Sequence, residues 1–378
     1  MDMKVPVFCM AALLAVHVSA EERPATALLQ ARIDAIAAAG GGTLTLTSGT
    51  YRTGALFFKP GVNLRLEDGA MLIGTGGKED YPMCKTRLGG LTVTYYPALV
   101  NADGCDGFRI SGNGVIDGNG LPVWKEYWAK RKTKAYKHDI DPDIVRPRLV
   151  YVSNSRDVDI SGVTMRDSRF WTLHLYKCSD VYVHDCRIEA RVLEGVKGPS
   201  TDAIDLDVVT NAVIRRVYMN VNDDAVVLKG GRGPWADDPV RHPDNGGNSN
   251  ILVEDCTFGP CCHACLTLGS ECIVAENVVM RNSRVENVGM LLHMKMRPDT
   301  HFEYRNVMIS NLTGRVRRGI AAFPWRQYFD LEGRKDLPKS HIENIVVKCP
   351  DLYAEKPFQV ETVDYCAMTN VISEMKGP

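Results

Sequence analysis

The chain carries almost no net charge. Its 45 basic and 46 acidic residues leave a formal −1, whereas a general nucleic-acid binder shows a basic stripe. Any charged ligand must therefore be held by local groups. Long apolar runs are also missing, apart from Val5 to Val18, which follows Lys4 and ends at Val18-Ser19-Ala20. That run is shorter than the roughly 20 residues a membrane span needs, and its flanks read as the charged region and cleavage site of an export signal. The expectation is a signal peptide at 1–20, Glu21 as the first mature residue, secretion or periplasmic export, and no membrane span. Residues 21–378 are expected to form a single domain, most simply a monomer. Disorder is excluded by a composition of 45% hydrophobic and 24% charged residues. Cysteine is not scarce but lacks pattern. Twelve are present, Cys9 falls in the leader, and the remaining odd number cannot all pair within the chain. A chain of this size can bury a core without staples, so the cysteines read as buried thiols. Cys256, Cys261, Cys262, Cys265 and Cys272 around His263 fit no paired-ligand zinc spacing.

Helical periodicity is equally sparse. Ala25 to Ala39, with Leu28, Leu29, Ile33 and Ile36, reads as a short amphipathic helix stopped by Gly40-Gly41-Gly42. No helix of similar quality follows for most of the chain. Short alternating segments take its place: Thr43 to Thr47, Ala55 to Phe58, Val62 to Leu66 and Ala70 to Ile73.

What is present is one phrase, repeated: a Gly, Asn or Asp, then apolar, any residue, apolar. It begins at Gly61, Gly107, Asp157, Asp180, Asn211, Asn250, Asn277, Asn306 and Asn344, with intervals of 23, 31, 39, 27, 29 and 38 residues from Asp157 onward. A unit this small cannot bury its apolar face alone, so copies must stack around a shared core. Constant phrases with variable intervals place the insertions on a rim. The architecture implied is all-β, a single-stranded parallel β-helix with a short N-terminal capping helix. A leucine-rich horseshoe lacks its Leu/Asn consensus here, and a propeller lacks its four-stranded blades.

Two stretches interrupt the pattern. Leu121 to Arg148 holds Trp124, Tyr127, Trp128, Tyr136 and a basic run from Lys125 to Lys137, and Gly230 to Asn248 holds Arg232, Trp235, Arg241 and His242. Long excursions of this kind often carry function, and these read as walls of a binding cleft.

Three carboxylates stand just ahead of β-branched runs: Asp202 in Thr201-Asp-Ala-Ile-Asp205, and Asp223 and Asp224 before Ala225-Val-Val-Leu-Lys229. Alone, each is a turn residue more readily than a catalyst. Counted from the repeat phrase, however, Asp224 and His263 both lie 13 residues on, and Lys229 and Lys295 both lie 18 on. Asp202 falls into step if Arg191 to Ser200 is a rim insertion. One cleft should then hold Asp202, Asp223, Asp224, His263, Lys295 and Arg297. Paired carboxylates can act as acid and base in glycoside cleavage, one kept protonated by its like-charged neighbours and another activating water. Adjacent Asp223 and Asp224 can both reach a substrate only if the strand start is bent.

Thr201 to Asp205, Asn222-Asp223-Asp224, His263 between small residues, and Lys295-Met296-Arg297 resemble the four signature motifs of glycoside hydrolase family 28, the polygalacturonase and rhamnogalacturonase family. Ala38 to Thr43, Gly114 to Gly120, Arg146-Pro147 and Ser168 to His174 are similar to further phrases of that family. The resemblance implies a right-handed parallel β-helix that hydrolyses galacturonic-acid linkages in pectin with inversion, without metal or cofactor. It implies Asp223 as general acid, Asp202 and Asp224 as the pair that activates water, and His263 as support for the acid. It implies Lys295 and Arg297 as the grip on substrate carboxylates, a sensible pairing for an anionic sugar. Lys229, Asp205, His174 and Trp235 are expected as further substrate contacts. The last motif runs Lys, Met, Arg where the family usually has Arg, apolar, Lys, which points toward a modified or short substrate such as rhamnogalacturonan fragments. The alternatives are a calcium-dependent pectate lyase, with the aspartates holding the metal, and a non-catalytic glycan-binding β-helix.

Overall fold

The computed structural model describes residues 25–133 and 140–378. The export signal at 1–20, Glu21, Tyr136 and Lys137 lie outside the described residues. Twenty-seven of the strands join one parallel sheet that winds through three ladders, each strand pairing with its equivalent in the next coil. A 13-residue helix, Thr26–Ala38, covers the first coil with Leu29 and Ile33 buried, while Leu28 of the expected apolar face is exposed.

The repeat phrase has a backbone cause. All nine of its starting residues have positive φ, from +54° at Asp180 and Asn306 to +79° at Gly61, and Asn370 at +51° adds a tenth. The coil turns a corner at these points in the left-handed region, which Gly, Asn and Asp tolerate best. The asparagines also bond to one another along the stack. Asn250 Nδ2 donates to Asn211 Oδ1 at 3.1 Å, Asn277 to Asn250 at 3.3 Å, Asn306 to Asn277 at 3.2 Å, Asn344 to Asn306 at 3.2 Å and Asn370 to Asn344 at 2.8 Å. Three residues after each corner the ladder points an apolar side chain inward. Ile160, Val183, Ile214, Val253, Met280, Ile309 and Val347 lie in register and are fully buried. The continuous core runs from Leu29 to Cys366. All eleven described cysteines are unpaired, nine of them buried. Several donate their thiols to main-chain carbonyls, such as Cys186 to Ile160.

The third ladder carries the site. Its strands include Leu56–Phe58, Val100–Asp103, Val150–Ser153, Leu173–Tyr176, Ile204–Asp207, Val226–Lys229, Ala264–Leu268 and the later half of Arg284–Met296. Leu175, Leu206, Leu228, Leu268 and Met294 point inward in register. His174, Asp205, Val227, Thr267 and His293 form one outward row, and Tyr176, Asp207 and Lys229 another.

The interruptions have more structure than periodicity suggested. Leu121–Lys132 is a helix, with Pro122 in its first turn, where a missing N–H costs nothing. Lys130, Arg131 and Lys132 close it, where cations complement the helix dipole, and Val123, Trp124 and Tyr127 are its buried face. Sequence periodicity missed it because only this narrow face is apolar. Also unexpected is an antiparallel hairpin, Cys84–Leu88 with Leu91–Tyr95. Its turn is Gly89-Gly90, both at positive φ, which is the requirement of the tightest hairpin turns.

Candidate active site

The register expected for the charged residues is present except at His263, which stands opposite Asp223 and not Asp224, one residue off the count. Asp202 and Asp224 occupy equivalent places in successive coils, since Ala203 N donates to Asp224 O at 3.1 Å and Ile204 pairs with Val226. His263 follows in the next coil, where its N–H donates to Asp223 O at 2.9 Å. Lys229 and Lys295 share a rung two coils apart, each one residue beyond a position paired with Leu268. The segment before Val226–Lys229 is bent, and Asp224 N–H donates to Asp223 Oδ1 at 3.0 Å. The two adjacent carboxyls therefore need not project to opposite faces.

A cavity of about 560 Å³ opens here, lined by Asp202, Asp223, Lys229, His263 and Lys295 together with Asn222, Trp171, Glu271, Trp325 and Tyr328. Arg131 of the helix and Ile140 form part of the wall, as does Gly89 of the hairpin tip. Asp224 lies behind this lining, 1% exposed, between His263 Nδ1 at 3.0 Å and Lys295 Nζ at 3.0 Å.

The environments push the carboxyls apart. Burial raises Asp223 and the adjacent Asp224 charge raises it further, so Asp223 holds its proton above the usual carboxylate range. For Asp224, burial is overridden by the Lys295 charge and the His263 hydrogen bond, which hold it far below that range. The partnership is mutual: the hydrogen bond to Asp224 raises His263. Asp202 is raised well above the ordinary value by burial and by Asp223 and Asp205. Asp205, pushed to about 7 by burial against the pull of Lys229, sits beside Asp202 as a hydrogen-bond partner. Lys229 Nζ is 3.3 Å from Asp205 but poorly aligned, leaving both Asp205 oxygens without a donor from any other side chain. Glu271, held to about 2 by Lys229 against the effect of burial, completes the cluster at 3.4 Å from Lys229 Nζ.

Four expected contacts lie elsewhere. Asp205 is fully buried beside Asp202 and does not line the cavity. Arg297 is 2% exposed and turned away from the cavity. It grips Asp299 at 2.7 Å and the carbonyl of Gln327 at 2.6 Å, and so fixes the loop that presents Trp325 and Tyr328. His174 is fully buried beneath the hairpin, bonded to Arg148 at 2.7 Å, and burial drives it down to about 3. Trp235 is sandwiched by Arg241 and Arg334, with the guanidinium carbons 3.7 and 4.4 Å from its ring centre. Residues that sequence reasoning did not single out include Glu271, whose neighbours Ser270 and Cys272 give no repeat signal, and His293, one outward step before Lys295.

Among the described residues, Asp224, His263 and His293 are the one group whose donor atoms cluster closely enough to hold a metal ion, within 4.8 Å of one another. Its carboxylate already pairs with Lys295, and the cysteines around His263 take no part in it. An aspartate cage for calcium fits poorly, because Lys229 stands among Asp202, Asp205 and Glu271 at 3.3 to 3.9 Å, where the cation would sit.

The sequence profile of glycosyl hydrolases family 28 matches residues 85–315, more than half of the chain and all of the cavity's charged residues. The chain belongs to glycosyl hydrolases family 28. Within it, the chain is 24% identical to an exopolygalacturonase of Zea mays over 239 residues, 55% of each protein. It is 25% identical to a polygalacturonase of Ralstonia solanacearum over 63% of this chain and 54% of that one. The chain thus spans about half the length of the curated relatives it matches. Among solved structures, the Thermotoga maritima exopolygalacturonase superposes with a TM-score of 0.71 at 21% identity, covering 93% of this chain and 88% of that one. The Erwinia carotovora polygalacturonase gives 0.65 at 19% identity over 96% and 94%. These likenesses show the family 28 β-helix fold.

Proposed function

We propose that this family 28 chain is an inverting glycosidase acting on galacturonic-acid linkages of pectin. The observation that carries the reading is the split between neighbours: Asp223 lines the cavity with its carboxyl raised by burial and the Asp224 charge, while Asp224 behind it is held low by Lys295 and His263 at 3.0 Å each. The polygalacturonase names of the relatives support the substrate class.

Asp223 gives its proton to the glycosidic oxygen, and a water on the opposite face of the sugar loses one to Asp202, which lines the cavity, while Asp224 stays ionised behind it. Asp205, raised by burial to about 7 beside Asp202, is placed to hold a second proton when Asp202 takes the water's. Protonated His263, beside Asp224, keeps that carboxylate charged while Asp223 cycles. Lys295, Lys229 and Arg131 give the cavity the cations a uronate needs, and Trp325 adds an aromatic wall. No step calls for a metal. The n-region, apolar run and Val18-Ser19-Ala20 support export as the setting in which such a polymer is met.

The test is product analysis on homogalacturonan and rhamnogalacturonan oligosaccharides, with the anomeric form of the first product read by proton NMR. Release of reducing ends with inverted configuration, undiminished by EDTA, is expected. An unsaturated, ultraviolet-absorbing product would identify a lyase instead, and binding without release a glycan-binding module.

A further inference from the structure

The outward face of the third ladder carries two hollows, and the hairpin Cys84–Tyr95 lies between them. On one side of the hairpin is the catalytic cavity. On the other is a second hollow of about 400 Å³, lined by earlier rungs of the same ladder, among them Asn101, Asp103, Ser153 and Tyr176. Gly89 lines the first hollow, and Lys85, Arg87 and Thr92 line the second. The hairpin is thus the partition between them.

The tip reaches from wall to wall. A Cβ on Gly89 would come within 3.1 Å of Ile140 on one side. A Cβ on Gly90 would come within 2.8 Å of Glu271 and 3.1 Å of Gly231 on the other. Only glycine lets the turn press so closely against both walls. The base is fixed by buried charge. Arg87, 2% exposed, pairs with the fully buried Asp207 at 3.1 Å and donates to Gly230 O at 2.9 Å. Arg148, 1% exposed, donates to Arg87 O at 2.7 Å and to Thr86 Oγ1. At the outer edge Thr92 Oγ1 donates to Asp244 at 2.7 Å. Lifting the hairpin would leave the buried Asp207 without its Arg87 partner and take two acceptors from the buried Arg148, so it stands as a wall and not a lid.

We propose that this wall makes the enzyme exo-acting: the substrate is a chain end that abuts the hairpin, and each turnover removes one short unit of fixed size. The inference rests on the glycosidase reading above. A polymer lying through both hollows would have to cross the hairpin, whereas a cavity of about 560 Å³ is the size of a small-ligand pocket and not of a polymer track.

The experiment follows products from wild-type enzyme on long homogalacturonan and on oligogalacturonides, some with an unsaturated non-reducing end and others reduced to the alditol. One product size is expected from the first turnovers, with viscosity falling only in step with reducing ends, and one of the two end modifications should block release. A spread of internal fragments, or equal cleavage of both modified series, overturns the wall. No hydrolysis of any uronide would defeat the glycosidase reading itself, and the inference with it. A second variant shortens the tip by replacing Leu88-Gly89-Gly90-Leu91 with a two-residue Asn-Gly turn, leaving Arg87 and Thr92 in place. It should release longer fragments that the wild type never does. If it fails to fold, the wild-type product pattern still decides.

Discussion

Replacing Lys295 by Met removes the ammonium that holds Asp224 ionised while keeping the apolar stem. The ion pair is 3.0 Å long, with Lys295 12% and Asp224 1% exposed. Breaking a buried pair from one side costs about 3–5 kcal/mol, because the other charge is left uncompensated. Here His263 still donates to Asp224 at 3.0 Å, and its side chain is 46% exposed, so the low end, about 3 kcal/mol at pH 7, is expected. The pH dependence carries the sharper signature. In the wild type, Asp224 is depressed, so its contribution to stability is complete above the unfolded carboxylate value and is lost only as pH falls through a very low folded value. In Lys295→Met, burial dominates and the folded value rises, so acid protonates Asp224 and relieves the unpaired charge. The gap between wild type and variant should shrink by about 1 kcal/mol or more between pH 7 and pH 4. Urea melts at both pH values measure it. Lys295→Arg should recover much of the loss at pH 7, and a gap below about 1 kcal/mol or equal at both pH values would refute the charge-holding role.

Three further outcomes are expected. Asn306→Ala should cost about 2 kcal/mol in chemical denaturation, since it places a Cβ-bearing, non-bonding residue at φ +54° and removes two 3.2 Å links. Asn306→Gly should cost less, and the reverse order would discount the corner conformation. A thiol reagent should leave the nine buried cysteines unmodified in the native protein, since burial raises thiols such as Cys178 and Cys256 to about 12, and should reach only Cys84 and Cys261, with the rest titrating after denaturation. Activity should fall as pH rises through the raised Asp223 value, where the acid loses its proton. His263→Gln removes a charge that lowers Asp223, so the falling limb should move to higher pH, and a shift the other way would contradict the assignment.

Much of this architecture was legible because a stacked coil repeats a backbone constraint. The corner conformation admits few residue types, so Asn211, Asn250, Asn277 and Asn306 announce the coils, and counting from them places Lys229 and Lys295 on one rung. Asp202 and Asp224 came into step once the rim insertion was allowed for. The elements that leave the coil obey no such count. The alternation around Gly89-Gly90 could have signalled a hairpin, but not that Arg87 would meet Asp207, 120 residues away. Arg297 follows the same motif as Lys295 yet turns inward, because Asp299 two residues later offers its carboxylate. Glu271 takes its meaning only from Lys229, which reaches it across a coil.

The most direct test of the acid assignment is the turnover of an oligogalacturonide by wild type and Asp223→Asn, with reducing ends counted under identical conditions. Asparagine keeps the shape and loses the proton, so a fall in kcat of about 10²–10⁴-fold with unchanged folding is expected for a general acid. Undiminished turnover in the variant would remove Asp223 from that role and, with it, the division of labour between Asp223 and Asp224.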